Sequence, residues 1–405
     1  MRLGWIDFSK SERSKVMSVL DLLSQPGTLD ELGIAPVRDG FADLFFPGTS
    51  TIQTRAKYFM IIPYILRDLE LSDETNPHRL ARDLSAKEKD CAARLISKGE
   101  DPDGIIGRRS LSQGGWVKRP PSSIYWAGLR NYGIFMGNLS LAEYLWHICE
   151  QKNQRKTLQK LGNRMGNRND REENPDKEQD DWDAGGLYQT RFWSVPTYEE
   201  DWAEHLELRL TADEGAYLKR QIITSHPESM MAFILKNQRR DILHCGSFEN
   251  MGSLIQQFPE RIQEDYQLAR SFAEFLYVLR ILYNVILSEG KNETANRLWL
   301  QKSSDLNAIA GIDIDAIIER LSLFRQAYLC RFLRNAKDLM MRNDTEGLKE
   351  EIKRREQELK GARAKTTHPG EFGENEWYGG GILDYRFGNG SRIMNDIFES
   401  EDQHV

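Results

Sequence analysis

The segment ERIQEDYQLARSFAEFLYVLRILYNVILSE, residues 260–289, decides the fold class of this chain. Its apolar residues recur at intervals of three or four, which places them on one face of an α-helix. Gly290 follows as a stop signal. We therefore expect one long helix whose apolar face is buried; that face consists of Ile262, Tyr266, Ala269, Phe272, Leu276, Leu279, Tyr283 and Ile286.

A second series predicts another helix from Asp313 to Met341, with Ile317, Leu321, Phe324, Tyr328 and Phe332 on its apolar face. Strand-like alternation is scarce, and Leu206 to Leu210 is the best short candidate. Capping boxes, in which a Ser or Thr is followed three residues later by Glu, support further helix starts. They occur at Ser9/Glu12, Thr28/Glu31, Ser85/Glu88, Ser140/Glu143, Thr211/Glu214 and Ser225/Glu228. The fold class expected is mainly α, with few short strands.

Charge divides the chain most clearly between residues 151 and 185. Residues 152–171 hold seven Lys or Arg and one Asp, whereas residues 172–183 hold seven Asp or Glu and one Lys. Such a segment cannot bury enough apolar surface to offset its ordering entropy. We predict a helical domain at 1–150, a charged flexible linker or insertion at 151–185, a second helical domain at 186–360, and a flexible stretch with a C-terminal tail at 361–405.

The net charge of −7 argues against general affinity for nucleic acid, so any basic function must be local. Four widely spaced cysteines fit reduced thiols rather than a disulfide scaffold. The longest apolar run, Tyr58 to Leu66, covers about half of the ~20 residues that a bilayer requires. The N-terminus lacks the apolar stretch of a signal peptide. These features predict a cytoplasmic protein that does not enter the membrane.

Catalytic templates are missing from the sequence. It contains no phosphate-binding loop, no nucleophile elbow and no His-Glu-x-x-His zinc motif. The glycine pair in Gly388-Asn389-Gly390-Ser391-Arg392 follows no evident strand, so we predict a turn there. The sequence therefore predicts no cofactor and no metal, and the catalytic residues, if any, stay unknown.

The segment Phe46–Tyr58 combines hydroxyl groups with two cations and no acid. Thr49, Ser50 and Thr51 are expected to cap the following helix, and Arg55 and Lys57 come soon after them. Free amides at a helix start, with cations beside them, can hold a phosphate or a carboxylate. The alternative is an ordinary N-cap that opens a core helix from Tyr58 to Leu66, with a kink at Pro63.

The stretch from Gly104 to Asn138 contains no Asp or Glu, although the whole chain has an excess of acids. Its aromatic residues are predicted to belong to the core, and a short helix is expected from Ile124 to Tyr132. Exposed cations in such a stretch neutralise phosphates. Together with Arg55 and Lys57, the predicted nucleic-acid-binding residues are Arg108, Arg109, Lys118, Arg119 and Arg130.

Four strings carry a resemblance to a known family: GWID at residues 4–7, RDGFADLFFPGTSTIQTRAKYF at 38–59, PSSIYWAGL at 121–129 and LDYR at 383–386. With them the chain resembles a prokaryotic domain-of-unknown-function family. Its members are often encoded in genomic islands with helicases, nucleases and other anti-phage components. The resemblance implies a bacterial or archaeal cytosolic protein that works beside DNA-processing partners, and it brings no established activity or catalytic residue.

Three functional hypotheses follow. The first is a non-enzymatic accessory subunit of a defence system that contacts DNA and a partner protein. The second is a metal-dependent nuclease or other hydrolase, because clustered carboxylates bind Mg²⁺ for phosphoester chemistry. The third is a structural adaptor without nucleic-acid contact. The site of the second hypothesis would consist of Asp7, Asp39, Asp43 and Asp384, near Arg55 and Arg386.

Overall fold

The computed structural model describes residues 30–166, 192–372 and 376–402. These residues form fifteen α-helices, and their β pairing is limited to one isolated antiparallel bridge between Phe135 and Trp193. The predicted fold class, mainly α, is confirmed. Among the helices of this described part, none combines the length and apolar character needed to cross a bilayer.

Contacts divide the chain into two compact units, each built from two segments that are distant in sequence. The first unit contains residues 30–41 and the described part of 263–383. The second contains the described part of residues 42–262 together with 384–402. Both predicted domain limits, at residues 150 and 185, fall inside the range of the second unit.

The first unit is organised on the helix Glu260–Leu287, most of which it contains. This helix confirms the predicted long helix, because all eight residues of the predicted apolar face are buried. Gly290 follows it in the left-handed conformation, with φ 76°. The other helices of this unit are Ala35–Phe45 (its first seven residues), Glu293–Ser303, Leu306–Ile309, Ile314–Arg320, Ala327–Met341 and Thr345–Lys360, with 3₁₀ turns at Leu323–Arg325, Gly361–Arg363 and Lys365–Thr367.

The predicted single helix from Asp313 to Met341 is wrong, because the chain breaks at Ser322. This residue has φ 53°, and its N–H donates to the carbonyl oxygen of Glu319, so it ends the helix Ile314–Arg320. The next helix begins at Ala327. As a result Phe324 and Tyr328, which the pattern assigned to the buried face, are 69% and 67% exposed.

A buried polar cluster in the first unit surrounds Glu356, which is fully buried. Its carboxylate accepts hydrogen bonds from the Tyr283 hydroxyl at 2.8 Å and from the Thr366 N–H at 3.0 Å. Lys360 Nζ lies 2.9 Å from Glu356 Oε1 and also pairs with Glu31. Glu356 therefore joins three segments of this unit. Without it the Tyr283 hydroxyl and the Thr366 N–H would lose their acceptor, and Lys360 would keep only Glu31.

The second unit contains the remaining α-helices: Tyr58–Leu71, Pro77–Ser97, Arg108–Ser112, Pro121–Asn131, Leu141–Gly166, Ala212–Ser225, Met230–Lys236 and Phe387–Glu401, with 3₁₀ helices at Arg240–Cys245, Glu249–Ser253 and Ile255–Gln257. The strand predicted from Leu206 to Leu210 is wrong. Its three leucines are buried and alternate with exposed residues, but no strand pairs with it within the described ranges. The alternation of apolar and polar residues therefore reflects burial of one side of a segment without regular secondary structure.

The predicted linker at 151–185 is wrong over its first part, because the helix Leu141–Gly166 continues through it. Lys152 fixes this helix by donating from Nζ to the carbonyl oxygens of Leu69 and Glu74. Residues 167–185 lie outside the described part. The predicted turn at Gly388–Arg392 is also wrong. It lies within the helix Phe387–Glu401, where Gly390 packs against the ring of Phe46.

Of the six predicted capping boxes, two are confirmed, two are wrong and two lie at least partly outside the described residues. Those at Thr211/Glu214 and Ser140/Glu143 are confirmed by reciprocal hydrogen bonds. Ser85 lies in the interior of the helix Pro77–Ser97, and Ser225 is the last residue of its helix, so those two predictions are wrong. Ser9, Glu12 and Thr28 lie outside the described residues.

We expect Glu356→Ala to destabilise the protein by about 3–5 kcal/mol, because Lys360 would keep only one of its two buried carboxylate partners, and the Tyr283 hydroxyl and the Thr366 N–H would lose their acceptor. Urea unfolding of the variant and of the wild type measures this difference. Glu350→Ala is the matched control. It removes an exposed i,i+3 pair with Lys353 and should cost no more than about 1 kcal/mol. Equal losses in both variants would contradict the role given to Glu356.

Candidate nucleic-acid interface

The segment Phe46–Lys57 runs through the second unit, and its hydroxyl groups do not cap the next helix. The helix begins at Tyr58, and its N-cap Lys57 makes no side-chain cap bond. The Thr49 hydroxyl instead donates to the Phe46 carbonyl oxygen at 2.6 Å. Ser50 is half-buried and Thr51 is exposed. The predicted capping role of Thr49, Ser50 and Thr51 is therefore wrong, because the segment turns back on itself before the helix starts.

Two buried tyrosines hold the backbone of this segment. The Tyr125 hydroxyl accepts hydrogen bonds from the N–H groups of Thr54 and Arg55 and donates to the Arg55 carbonyl oxygen at 2.8 Å. The Tyr132 hydroxyl donates to the Pro47 carbonyl oxygen at 2.7 Å. Burial raises the pKa of both phenols, so they stay protonated and can donate.

The C-terminal helix segment holds the same backbone from another side. Arg386 donates to the Thr49 carbonyl oxygen at 3.0 Å and pairs with Asp43 at 2.6 Å. Asn389 donates to the Gln53 carbonyl oxygen at 2.7 Å. Most polar groups of an irregular buried segment must find partners inside the protein, and these side chains supply them.

Arg55 belongs to this internal network rather than to a basic surface. Its guanidinium pairs with Asp396 at 2.8 Å and with Asp101 at 3.0 Å. Although burial lowers the pKa of Arg55, its hydrogen bonds to both carboxylates raise that pKa above its usual value. Asp396 also accepts from the Ala56 N–H at 2.7 Å. The two carboxylates neutralise the Arg55 guanidinium, so this side chain is not available to bind an anionic ligand.

Lys57 is buried, with its Nζ 2.6 Å from Glu214 Oε2. Glu214 also closes the capping box of the helix Ala212–Ser225 and accepts a hydrogen bond from the Tyr64 hydroxyl at 3.2 Å. The ion pair thus links two helices within the second unit. Neither Lys57 nor Arg55 can contribute to an outward-facing basic surface.

Four of the other predicted cations come together in one local loop, which we call the basic loop and define as Gly107–Arg119. Arg108, Arg109 and Lys118 are exposed, and Arg119 is half-buried. The indole of Trp116 closes the loop, because a Cβ built at Gly107 would lie only 2.5 Å from its ring. Among the described residues, none of the four cations has a carboxylate partner.

Arg130 lies apart from the basic loop, near the end of the helix Pro121–Asn131. It is nine residues past the helix start, which corresponds to roughly 14 Å along the axis. It is exposed, and its guanidinium lies 3.5 Å from the side-chain oxygen of Asn138. The seven predicted cations therefore do not form one face.

The aromatic residues of the acid-free stretch are core residues, as predicted. Tyr125, Trp126, Tyr132 and Phe135 are all buried, and the predicted short helix is present as Pro121–Asn131. Trp116 is covered by its contact with Gly107. None of these rings is placed to stack on a nucleic-acid base, so the candidate interface consists of charge alone.

The carboxylates of the hydrolase hypothesis have structural partners. Asp39 pairs with the adjacent Arg38, and Asp43 pairs with Arg386. Asp384 accepts from the N–H groups of Phe248 and Gly388, the latter in the first turn of the C-terminal helix. Asp7 lies outside the described residues. Across 30–166, 192–372 and 376–402, no group of three His, Cys, Asp or Glu could hold a metal ion.

Glu88 is a buried position whose structural role differs from the capping role predicted for it with Ser85. It is 3% exposed, and its carboxylate accepts from the Ser122 N–H at 2.6 Å, at the start of the helix that follows the basic loop. Burial raises the pKa of Glu88 to about 7. The signal was present in the sequence, because Glu88 continues the apolar series of Leu80 and Leu84 on one helix face.

We expect Gly48→Ala to destabilise the second unit by about 3 kcal/mol. Gly48 has φ 75°, and an added Cβ would lie 2.6 Å from the Tyr132 ring, so backbone strain and overpacking add. Gly246→Ala is the control, since Gly246 has the same φ but nothing within 4 Å of an added Cβ. Denaturant unfolding should show the smaller loss in the control. Equal losses would mean that the Tyr132 contact adds nothing.

We expect Glu88→Gln to remove part of the pH dependence of stability. The folded protein keeps the Glu88 proton up to about pH 7, whereas the unfolded chain loses it near pH 4.5, so wild-type stability falls as the pH rises between these values. Relative to wild type, the variant should gain roughly 2–3 kcal/mol between about pH 5 and about pH 8. Unfolding measured at both pH values tests this, with the exposed Glu207→Gln as control; parallel pH profiles of Glu88→Gln and wild type would contradict it.

Comparisons with known proteins give one similarity. A family model described as a family of unknown function, DUF6361, matches residues 1–158, which include the segment Phe46–Lys57, Glu88 and the basic loop. Neither a curated protein nor a solved structure matches the chain. The first 158 residues therefore contain an uncharacterised domain that is similar to this family.

Proposed function

We propose that the protein is a non-enzymatic accessory subunit of a prokaryotic defence system that contacts DNA and a partner protein. One observation carries the DNA contact: the basic loop presents Arg108, Arg109 and Lys118 to solvent with no carboxylate paired to them in the described structure. Elsewhere many cations are neutralised by ion pairs, as Arg55 and Lys57 are. A cluster without such partners is suited to neutralising phosphates.

The geometry of the basic loop favours contact with the DNA backbone over reading of bases. Its helix, Arg108–Ser112, has five residues and spans about 7.5 Å, which is short for a recognition helix in the major groove. The nearby aromatic rings are buried and offer no stacking platform for single strands. We therefore propose contact with phosphates of duplex DNA that does not depend on base sequence.

The role in defence extends the resemblance described above, and the DUF6361 match leaves the activity open. A metal-dependent hydrolase gains no support from the described carboxylates, because Asp43 and Asp384 are engaged in structural contacts. A structural adaptor without nucleic-acid contact is the remaining alternative. The exposed rings of Phe324 and Tyr328 in the first unit would suit it. DNA binding by the basic loop separates the two proposals.

We expect the quadruple variant Arg108→Ala, Arg109→Ala, Lys118→Ala and Arg119→Ala to bind duplex DNA at least about tenfold more weakly than the wild type. Each phosphate contact adds about 0.9 to the slope of log affinity against log salt, so the slope should fall by up to about 3–4. Fluorescence anisotropy of a labelled duplex between about 50 and 200 mM salt measures both quantities.

The matched control removes four other exposed cations that have no ion-pair partner in the described structure, Arg82, Lys89, Arg270 and Arg297, and so changes the net charge equally. Its affinity and salt slope should stay close to the wild type. If both variants lose affinity equally, the binding reflects net charge and the basic loop is not the site. If the wild type does not bind duplex DNA, the structural adaptor replaces this proposal.

A further inference from the structure

The helix Leu141–Gly166 changes its surroundings halfway along its length. In its first half Tyr144, Leu145 and Ile148 are buried in the second unit. From Asn153 to Lys160 every residue is exposed. Isolated helices of this length are marginal in water, because packing of an apolar face supplies most helix stability in proteins. The second half therefore has a surface that a partner can cover.

A groove with a volume of about 590 Å³ lies along this helix, where it passes the start of the helix Pro77–Ser97. Trp146 and Leu158, 57% and 47% exposed, lie at its two ends. Cys149 is buried beneath it, and Pro77 belongs to the opposite wall. Two large apolar side chains that share one groove are unusual for a surface that stays in water.

The spacing of the residues that line the groove indicates which kind of occupant fits it. On the long helix they fall at positions 146, 149, 150, 153, 154, 157 and 158, at intervals of three and four along one face. Between Trp146 and Leu158 this face extends about 18 Å. A straight groove of this length, with anchors at both ends, fits a second helix packed alongside.

The charged residues near the groove favour some occupants over others. Residues 151–166 include five Lys or Arg and no Asp or Glu, although Lys152 and Lys156 donate to backbone carbonyl oxygens of the second unit. Lys160 comes fourteen residues after Trp146, close to four helical turns, so it extends the groove face. A second copy of the chain would bring like charges together, and Glu150 in the lining disfavours a polyphosphate. An acidic amphipathic helix can avoid both obstacles, because it can place acids beside Lys160 and an uncharged residue beside Glu150.

We infer that this groove binds an amphipathic helix of the partner protein, with apolar side chains on Trp146 and Leu158 and acidic side chains beside Lys160. The inference rests on the partner-protein half of the proposed function. Burial of the two exposed apolar side chains supplies affinity, and the acid-free half of the helix selects an acidic partner.

The test uses the full chain and a labelled synthetic helix with Leu at i, i+3, i+4 and i+7 and Glu elsewhere. Anisotropy should show binding with a dissociation constant on the order of 10 µM, and the same peptide with Lys in place of Glu should bind at least about tenfold more weakly. Trp146→Ala and Leu158→Ala should each weaken binding of the acidic peptide by about tenfold or more.

Phe324→Ala and Leu300→Ala are the controls, since they remove apolar side chains of the first unit that are more exposed than Trp146 and Leu158, and they should leave peptide binding unchanged. Lack of binding by the acidic peptide overturns the inference.

The inference is also overturned if sedimentation shows that the wild type is a dimer and that Trp146→Ala is not, because the occupant is then a second copy. Loss of duplex DNA binding in Trp146→Ala and Leu158→Ala overturns it in favour of a nucleic-acid groove. Failure of the peptide alone leaves the DNA proposal standing, and the quadruple variant of the basic loop decides that proposal separately.

Discussion

The segment Phe46–Lys57 is partly buried in the second unit and forms no helix or strand, so side chains pair several of its backbone polar groups. Tyr125 and Tyr132 supply partners from one helix, and Arg386 and Asn389 supply them from the C-terminal segment. An unpaired buried amide or carbonyl costs about as much as a lost hydrogen bond, so these contacts are mutually required. The helix Pro121–Asn131 and the C-terminal segment are therefore held in place by their hydrogen bonds to Phe46–Lys57.

This constraint explains why the richest motif in the sequence does not form a binding site. Arg55 and Lys57 carry charge into the interior, where Asp396 and Glu214 neutralise them. Removing one partner of a buried pair leaves an uncompensated charge, which is far more costly than losing an exposed pair. The same residue types therefore have different roles in two neighbouring stretches. In Phe46–Lys57 they fix the fold, and in the basic loop they stay available.

The sequence predicted the helical class and the helix Glu260–Leu287 well, because one unbroken period identifies a buried face. It failed where a single backbone angle decides the outcome, as at Ser322, whose positive φ interrupts an apolar series that continues on both sides. It also could not predict that Asp396 would reach Arg55 across more than 300 residues. Charge composition identified Arg108, Arg109 and Lys118 as exposed cations, but it could not distinguish them from the internally paired Arg55 and Lys57 or from the distant Arg130.

The two proposed surfaces lie in the same unit and are connected by the helix Pro77–Ser97. Its first residue borders the groove, and Glu88, eleven residues later, holds the start of the helix that follows the basic loop. This separation corresponds to about 16 Å along the helix axis, which is wider than a single helix of about 10–12 Å diameter. Glu88 is buried and accepts a hydrogen bond from the Ser122 N–H. The helix Pro77–Ser97 therefore contributes both to the wall of the groove and to the support of the helix that follows the basic loop. In the proposed function, this one helix would therefore support both the DNA contact and the contact with the partner protein.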